Sequence, residues 1–215
     1  MITLSSIFRN SVGHINRYFD QIDQLRGHID VRLVLGEGDN IDETAMLLNR
    51  YKEPDDIVVT VNHGGPVFGS ADNAQRWTQI AQVVRGVIDA VKDPGDAFVY
   101  VEGDLIWKPE TILDLIEADR MVAPMVFAKD DPASFDQNRF YDTWGARQGG
   151  AYFLAYPPYY PAGTPTERYV KVDSCGSCFA IPGRDWHIVE AWDGTWPFTA
   201  NGGLWMDSQG RIRHP

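Results

Sequence analysis

At 215 residues with 44% hydrophobic content, the chain has the material for one domain with a core of its own. Acidic residues outnumber basic ones by 30 to 19, for a formal net charge of −11. That balance argues against nonspecific nucleic-acid binding and suits a site that recruits a divalent cation. Residues 1–7 lack the basic start of a secretory signal, and no run approaches the ~18–20 apolar residues of a membrane span, so the expected compartment is the cytoplasm.

The elements follow in chain order. Residues 2–8 read as a first strand. Asn10-Ser11 then leads into a helix over about residues 13–25, with Ile15, Tyr18, Phe19, Ile22 and Leu25 at helical spacing. Residues 31–35 form a second strand that ends in Gly36-Glu37-Gly38-Asp39-Asn40, a turn of residues that tolerate unusual backbone angles. Asp42 is the expected N-cap of a helix through Tyr51. A third strand covers residues 56–61 and is broken by Asn62-His63-Gly64-Gly65-Pro66. In that loop His63 is either a phosphate contact or a plain turn residue. A long helix is expected from about Asp72 to Val91. Residues 97–101 are a nearly continuous apolar run, as in a strand covered on both faces. Pro109 opens a helix to Ala118, and residues 121–127 form a further strand.

This alternation of strand and helix predicts an α/β fold with a mostly parallel central sheet flanked by helices. The simplest organisation is a single domain over 1–215, with 1–127 as a nucleotide-binding half and 128–215 as an acceptor-binding half. The second half is less regular. Residues 156–165, rich in Pro, Tyr and Gly, read as a long loop. The two cysteines, Cys175 and Cys178, lie between segments that look extended, with no second pair to complete a zinc site, and read as reduced thiols. Seven Trp, nine Tyr and ten Phe serve the core first, although rings also line sugar sites.

The strongest local signal is Val99-Tyr100-Val101-Glu102-Gly103-Asp104, where a hydrophobic strand runs directly into two carboxylates at i, i+2. At the carboxyl end of a strand, side chains enter the crevice where open α/β sheets bind ligands. Two carboxylates there repel each other unless a cation neutralises them, and Mg²⁺ or Mn²⁺ prefers such oxygens. Spacing alone leaves a second reading open, an acidic turn at a helix start.

Together with Lys108-Pro109-Glu110-Thr111-Ile112-Leu113, this segment resembles the Asp-x-Asp region of GT-A-fold (Rossmann-like) glycosyltransferases. Other stretches fall in a consistent order over about residues 2–187. Ser6-Ile7-Phe8-Arg9-Asn10 ends the first strand near an arginine, and Glu37 to Thr44 resembles the acidic turn after the second strand. Val84-Arg85-Gly86, Tyr141-Asp142-Thr143-Trp144 and Val172-Asp173-Ser174-Cys175-Gly176 look most like the fungal Golgi α-mannosyltransferase family, with family-2-like glycosyltransferases beside it.

The resemblance implies a metal-dependent transfer of a sugar from a nucleotide-sugar donor, a UDP- or GDP-sugar, to an acceptor hydroxyl. Arg9 and Arg85 would face the diphosphate, and Glu37 the base or ribose. Glu102 and Asp104, with His214 as a third ligand, would hold Mn²⁺ or Mg²⁺. Trp144 would stack on a sugar, and Asp142, Asp173 or Asp207 would stand in for the acid that family members carry near residues 198–203, where this chain has none. That gap leans towards a retaining reaction. For Arg85 the alternative is a helix-face ion pair. The acceptor is a glycan, a small molecule or a hydroxymethylated DNA base of phage type. The competing functions are a sugar nucleotidyltransferase and a non-catalytic nucleotide- or glycan-binding relative.

Overall fold

A computed structural model of the chain describes residues 1–68, 73–128, 140–141, 145–154, 165–190 and 203–214. The first half alternates as expected: β1 (Ile2–Phe8), α1 (Val12–Arg26), β2 (Val31–Glu37), α2 (Thr44–Tyr51), β3 (Ile57–Thr60), α3 (Ala74–Ala90), β4 (Ala97–Val101), α4 (Pro109–Glu117) and β5 (Val122–Ala128). The second half supplies a small hairpin, β6 (Arg147–Gln148) and β7 (Ala151–Tyr152). It continues with β8 (Tyr169–Val172), β9 (Cys178–Pro182), a short α5 (Trp186–Glu190) and β10 (Leu204–His214). Most of the segment expected as a long loop, and Asp72 at the expected start of α3, lie outside the described residues. The described helix α3 is capped by Asn73, whose side chain accepts from Arg76 N–H.

The main sheet has eight strands in the order β3-β2-β1-β4-β9-β5-β10-β8. Strands β3, β2, β1 and β4 run parallel, as do β5 and β10. Strand β9 is inserted antiparallel between β4 and β5, and β8 closes the other edge antiparallel to β10. The run 3-2-1-4 is the order that opens a doubly wound sheet. The carboxyl ends of β1 to β5 and β10 therefore share one edge.

Helices cover both faces, which is why β4 and β9 are apolar throughout. Leu33, Leu35, Val99 and Val101 face α1, α2 and α4, while Val34, Phe98 and Tyr100 face α3 and α5. All five residues of β4 are buried. On α1, Ile15, Tyr18, Phe19, Ile22 and Leu25 are buried as their spacing predicts, each contributing roughly 1.5–3 kcal/mol of burial. Ser11 makes no side-chain cap for this helix. Instead Thr44 Oγ1 accepts from Ser11 N–H at 2.6 Å and Asp42 Oδ2 from Val12 N–H at 3.3 Å, so the turn before α2 satisfies the start of α1. Asp42 Oδ1 also accepts from Thr44 N–H at 3.0 Å, but the N-cap of α2 is Glu43, which makes no side-chain cap bond, so Asp42 acts one position before the cap expected of it. Among the described residues no helix is long and apolar enough to cross a membrane.

Candidate functional site

The acidic loop after β4 is built by packing on all sides. Gly103 lies against the Phe8 ring, where a Cβ would sit 2.7 Å from Cδ1 and Cζ and closer still to Cε1. Glu102 N–H donates to Ser177 O at 3.0 Å, and Leu105 N–H closes a turn onto Glu102 O at 3.1 Å. Ile106 exchanges two backbone bonds with Arg213, at 2.7 and 2.9 Å, which tie the loop to the end of β10. From α1, Arg17 donates through NH2 to Asp104 O at 2.5 Å, and Gln21 Nε2 donates to Leu105 O at 3.3 Å.

This bracing sets the environment of Asp104. Its Oδ2 lies 3.2 Å from His214 Nε2, while Oδ1 is buried with no hydrogen-bond partner among the described residues. The His214 ring stacks on Tyr141 with centroids 4.0 Å apart. Burial pushes the Asp104 carboxyl up, but the His214 hydrogen bond and the charges of His214 and His14 outweigh it and hold the group below the usual carboxylate range. An ionised carboxylate with an unmet buried oxygen invites a cation or a donor.

The donor set bears on which cation. Among the described residues no group of three or more His, Cys, Asp and Glu could hold a metal ion. A closed protein cage is therefore not built here. Asp104 and His214, with Glu102 two positions away in the sequence, offer a partial donor set of the kind that suits Mg²⁺ or Mn²⁺ only where further oxygens complete the shell.

The ends of β1, β2 and β3 form the neighbouring part of this edge. Glu37 is only 4% exposed, and its carboxylate accepts from Asn40 Nδ2 at 2.6 Å and from the Thr60 hydroxyl. It acts as a strut between two loops. Asp39, at φ 49°, accepts at Oδ2 from the backbone N–H groups of His63 at 2.8 Å and Gly64 at 3.0 Å, and the same oxygen lies 2.9 Å from His63 Nδ1. Those bonds, the His63 amide's first, hold its carboxyl below the usual range despite the opposing effect of desolvation. Arg9 donates through NH2 to Gly65 O at 2.5 Å and through NH1 to Pro66 O at 3.0 Å, while its buried Nε has no partner among the described residues. Arg9 and Asp39 thus both hold the glycine-rich loop after β3. Gly38 is required here because a Cβ would overlap the Val61 carbonyl.

The structure brings Arg9, Glu37, Glu102, Asp104 and His214 to one edge of the sheet. It places other expected residues elsewhere. Arg85 pairs with Asp89 one turn along α3 and donates to Glu190 O at 3.0 Å, so it serves the α3–α5 face. Asp173 accepts from Gly150 N–H at 2.8 Å and donates its own N–H to Arg147 O at 2.7 Å, which fastens the β6–β7 hairpin beside β8. Asp207 is buried and ion-paired with Arg168 at 3.2 Å. Cys175 and Cys178 are buried free thiols. Asp142 and Trp144 lie outside the described residues. Sequence reasoning missed His14, Arg17 and Gln21. Their spacing of three and four residues along α1 puts them on one stripe of the helix, and that stripe was the available signal.

No protein-family model matches the sequence, and no curated protein matches it. Solved structures do resemble it. Glucosyl-3-phosphoglycerate synthase from Mycobacterium tuberculosis, crystallised with Mn²⁺, UDP-glucose and phosphoglyceric acid, is 18% identical over 59% of this chain at a TM-score of 0.40. The chain spans 44% of that enzyme's length. A mannosyltransferase from Pyrobaculum calidifontis, in complex with GDP-mannose and Mn²⁺, is 13% identical over 99% of this chain and 56% of its own, at a TM-score of 0.47. The 4-diphosphocytidyl-2C-methyl-D-erythritol synthase from Anaerococcus prevotii is 11% identical over 100% of this chain and 90% of its own, at 0.44. At these identities and TM-scores the likenesses carry no assignment of activity.

Proposed function

We propose that the chain is a metal-dependent glycosyltransferase of the GT-A type, which takes a sugar from a UDP- or GDP-sugar and passes it to an acceptor hydroxyl in the cytoplasm. One observation carries the reading. Asp104, at the carboxyl end of β4, keeps an ionised carboxylate with a buried, unmet oxygen beside His214. The ordered resemblance of residues 2–187 to that enzyme class points the same way. Residues 1–127 supply the nucleotide half of one domain and 128–215 the acceptor half.

In this reading Asp104 and His214 hold Mn²⁺ or Mg²⁺, with Glu102 close by. The ion supplies charge neutralisation for the departing nucleoside diphosphate. Arg9 reaches the diphosphate by exchanging its present carbonyl partners on Gly65 and Pro66 for phosphate oxygens, which its guanidinium fork suits. Glu37 is already engaged on both oxygens, so it supports the nucleoside pocket by holding Asn40 and Thr60 in place. Asp207 is ion-paired and Asp173 holds a hairpin, which favours Asp142 as the stand-in acid, and the lack of a carboxylate over residues 198–203 favours retention of anomeric configuration. Trp144 and Asp142 remain the proposed acceptor-side contacts. The acceptor is a glycan, a small molecule or a modified DNA base.

A thermal-shift screen of UDP- and GDP-sugars tests this reading, with Mn²⁺ and with chelator. One nucleotide class should raise the unfolding temperature only with metal, and Asp104→Ala should abolish the shift. An equal shift in the Asp104→Ala protein would remove the metal assignment.

A further inference from the structure

The loop that carries Asp104 leaves two backbone carbonyls, those of Asp104 and Leu105, to be satisfied from outside the sheet. Both find donors on one helix. Arg17 NH2 reaches Asp104 O at 2.5 Å, and Gln21 Nε2 reaches Leu105 O at 3.3 Å. The two side chains are one turn apart on α1 and so share a face. The Gln21 bond is also protected: Gln21 is 6% exposed and Leu105 fully buried, while Arg17 is half-buried. Arg17 Nε is itself buried without a partner among the described residues, next to a carboxylate whose Oδ1 is equally unmet. A buried carbonyl stripped of its donor pays its desolvation cost, which favours reorganisation of a short loop. The other ties of this loop, Glu102 to Ser177 and Ile106 to Arg213, lie on either side of residues 104–105 and do not satisfy these carbonyls.

We infer that Arg17 and Gln21 are positioning residues that fix the Asp104 loop in its ion-holding geometry, an inference that rests on the metal reading of this site. Neither side chain is a ligand. Their effect on the ion passes through the backbone of residues 104 and 105. Partners one step removed from a metal typically change its affinity by about 10–100-fold.

The test is Mn²⁺ binding, read by loss of the free-ion EPR signal in the presence of UDP and, separately, of GDP. It uses the full chain and its variants, each also measured for thermal unfolding. Arg17→Met keeps the aliphatic stem and removes the donors. It should weaken Mn²⁺ binding about 10-fold or more, while Arg17→Lys, which can still donate to Asp104 O, should recover most of that loss. Gln21→Met should weaken binding by a smaller factor, and exposed Asp20→Ala should leave it unchanged. If Arg17→Met does not fold, the Arg17→Lys and Gln21→Met pair decides. Wild-type affinity in both Arg17→Met and Gln21→Met, with Asp104→Ala unable to bind, would overturn the positioning role while sparing the site. Unaltered Mn²⁺ binding in Asp104→Ala would overturn the site reading and this inference with it.

Discussion

Gly103 sits between the two carboxylates and has no room for a side chain, so Gly103→Ala tests how the loop is held. An added Cβ would lie 2.7 Å from two Phe8 ring carbons and closer to a third, against the ~3.5–4.0 Å of a relaxed carbon contact. The ring or the loop must move by about 1 Å or more. Phe8 cannot swing aside freely, because it is 4% exposed and meets the Tyr18 ring edge-on at 5.0 Å. Tyr18 is in turn fully buried, its phenol 2.9 Å from Ser6 Oγ. Overpacking of this kind costs about 1–3 kcal/mol. Gly103 is not in the left-handed region, so alanine also gains about 0.4–1 kcal/mol through the unfolded chain. The net loss is about 1–2 kcal/mol, or a fall of roughly 2–8 °C in unfolding temperature for a chain of this size. Differential scanning calorimetry of Gly103→Ala, Phe8→Leu and the double variant would read it. The smaller side chain should relieve the clash, giving a coupling of about 1 kcal/mol. An unchanged or raised Tm in Gly103→Ala, or strictly additive effects, would refute the packing argument.

Two further outcomes concern stability and pH. Asp56, whose side chain is 1% exposed, accepts from Arg26 NH2 at 2.9 and 2.7 Å and from the amides of Leu33 and Glu53, each at 2.8 Å. Asp56→Asn should cost about 1–3 kcal/mol in urea unfolding, because the guanidinium keeps only the exposed Glu53 at 3.1 Å as counter-charge; a loss below ~1 kcal/mol would contradict this. The Asp39 carboxyl is depressed in the folded state. Its contribution to loop order is therefore present above the unfolded value near ~3.9 and lost as pH falls through the lower folded value. The amide resonances of His63 and Gly64 should titrate with a midpoint below ~3.9, and a midpoint at or above that value would show that their bonds to Asp39 do not form in solution.

Much of this edge of the sheet could be read in the sequence because the signals are local. The apolar run of β4 ends on Glu102 and Asp104, and the helical spacing on α1 identifies its buried face. The parts that could not be read depend on contacts far apart in the chain. Arg17 meets a carbonyl 87 residues away, and no local pattern encodes that. No expected element covers strand β10, whose stretch Asp207-Ser208-Gln209-Gly210 is made of residues common in turns. In the structure it is an irregularity within one strand, between Asp207 and Arg211, and the strand then continues to deliver His214 to Asp104. The resemblance implies a base or ribose contact for Glu37, but its burial and its bonds to Asn40 and Thr60 are a tertiary fact. For Arg85 the helix-face alternative was open in the sequence, and Asp89, four residues on, supplies the partner.

The central claim is that a nucleoside diphosphate is released through an ion anchored at Asp104. Chromatography of nucleoside diphosphate freed from UDP- and GDP-sugars measures this directly, for the native chain with Mn²⁺, with chelator, and for Asp104→Asn. The account predicts release from one donor class that needs the metal and disappears in Asp104→Asn. Release that persists at the native rate in chelator or in the substituted protein would contradict it.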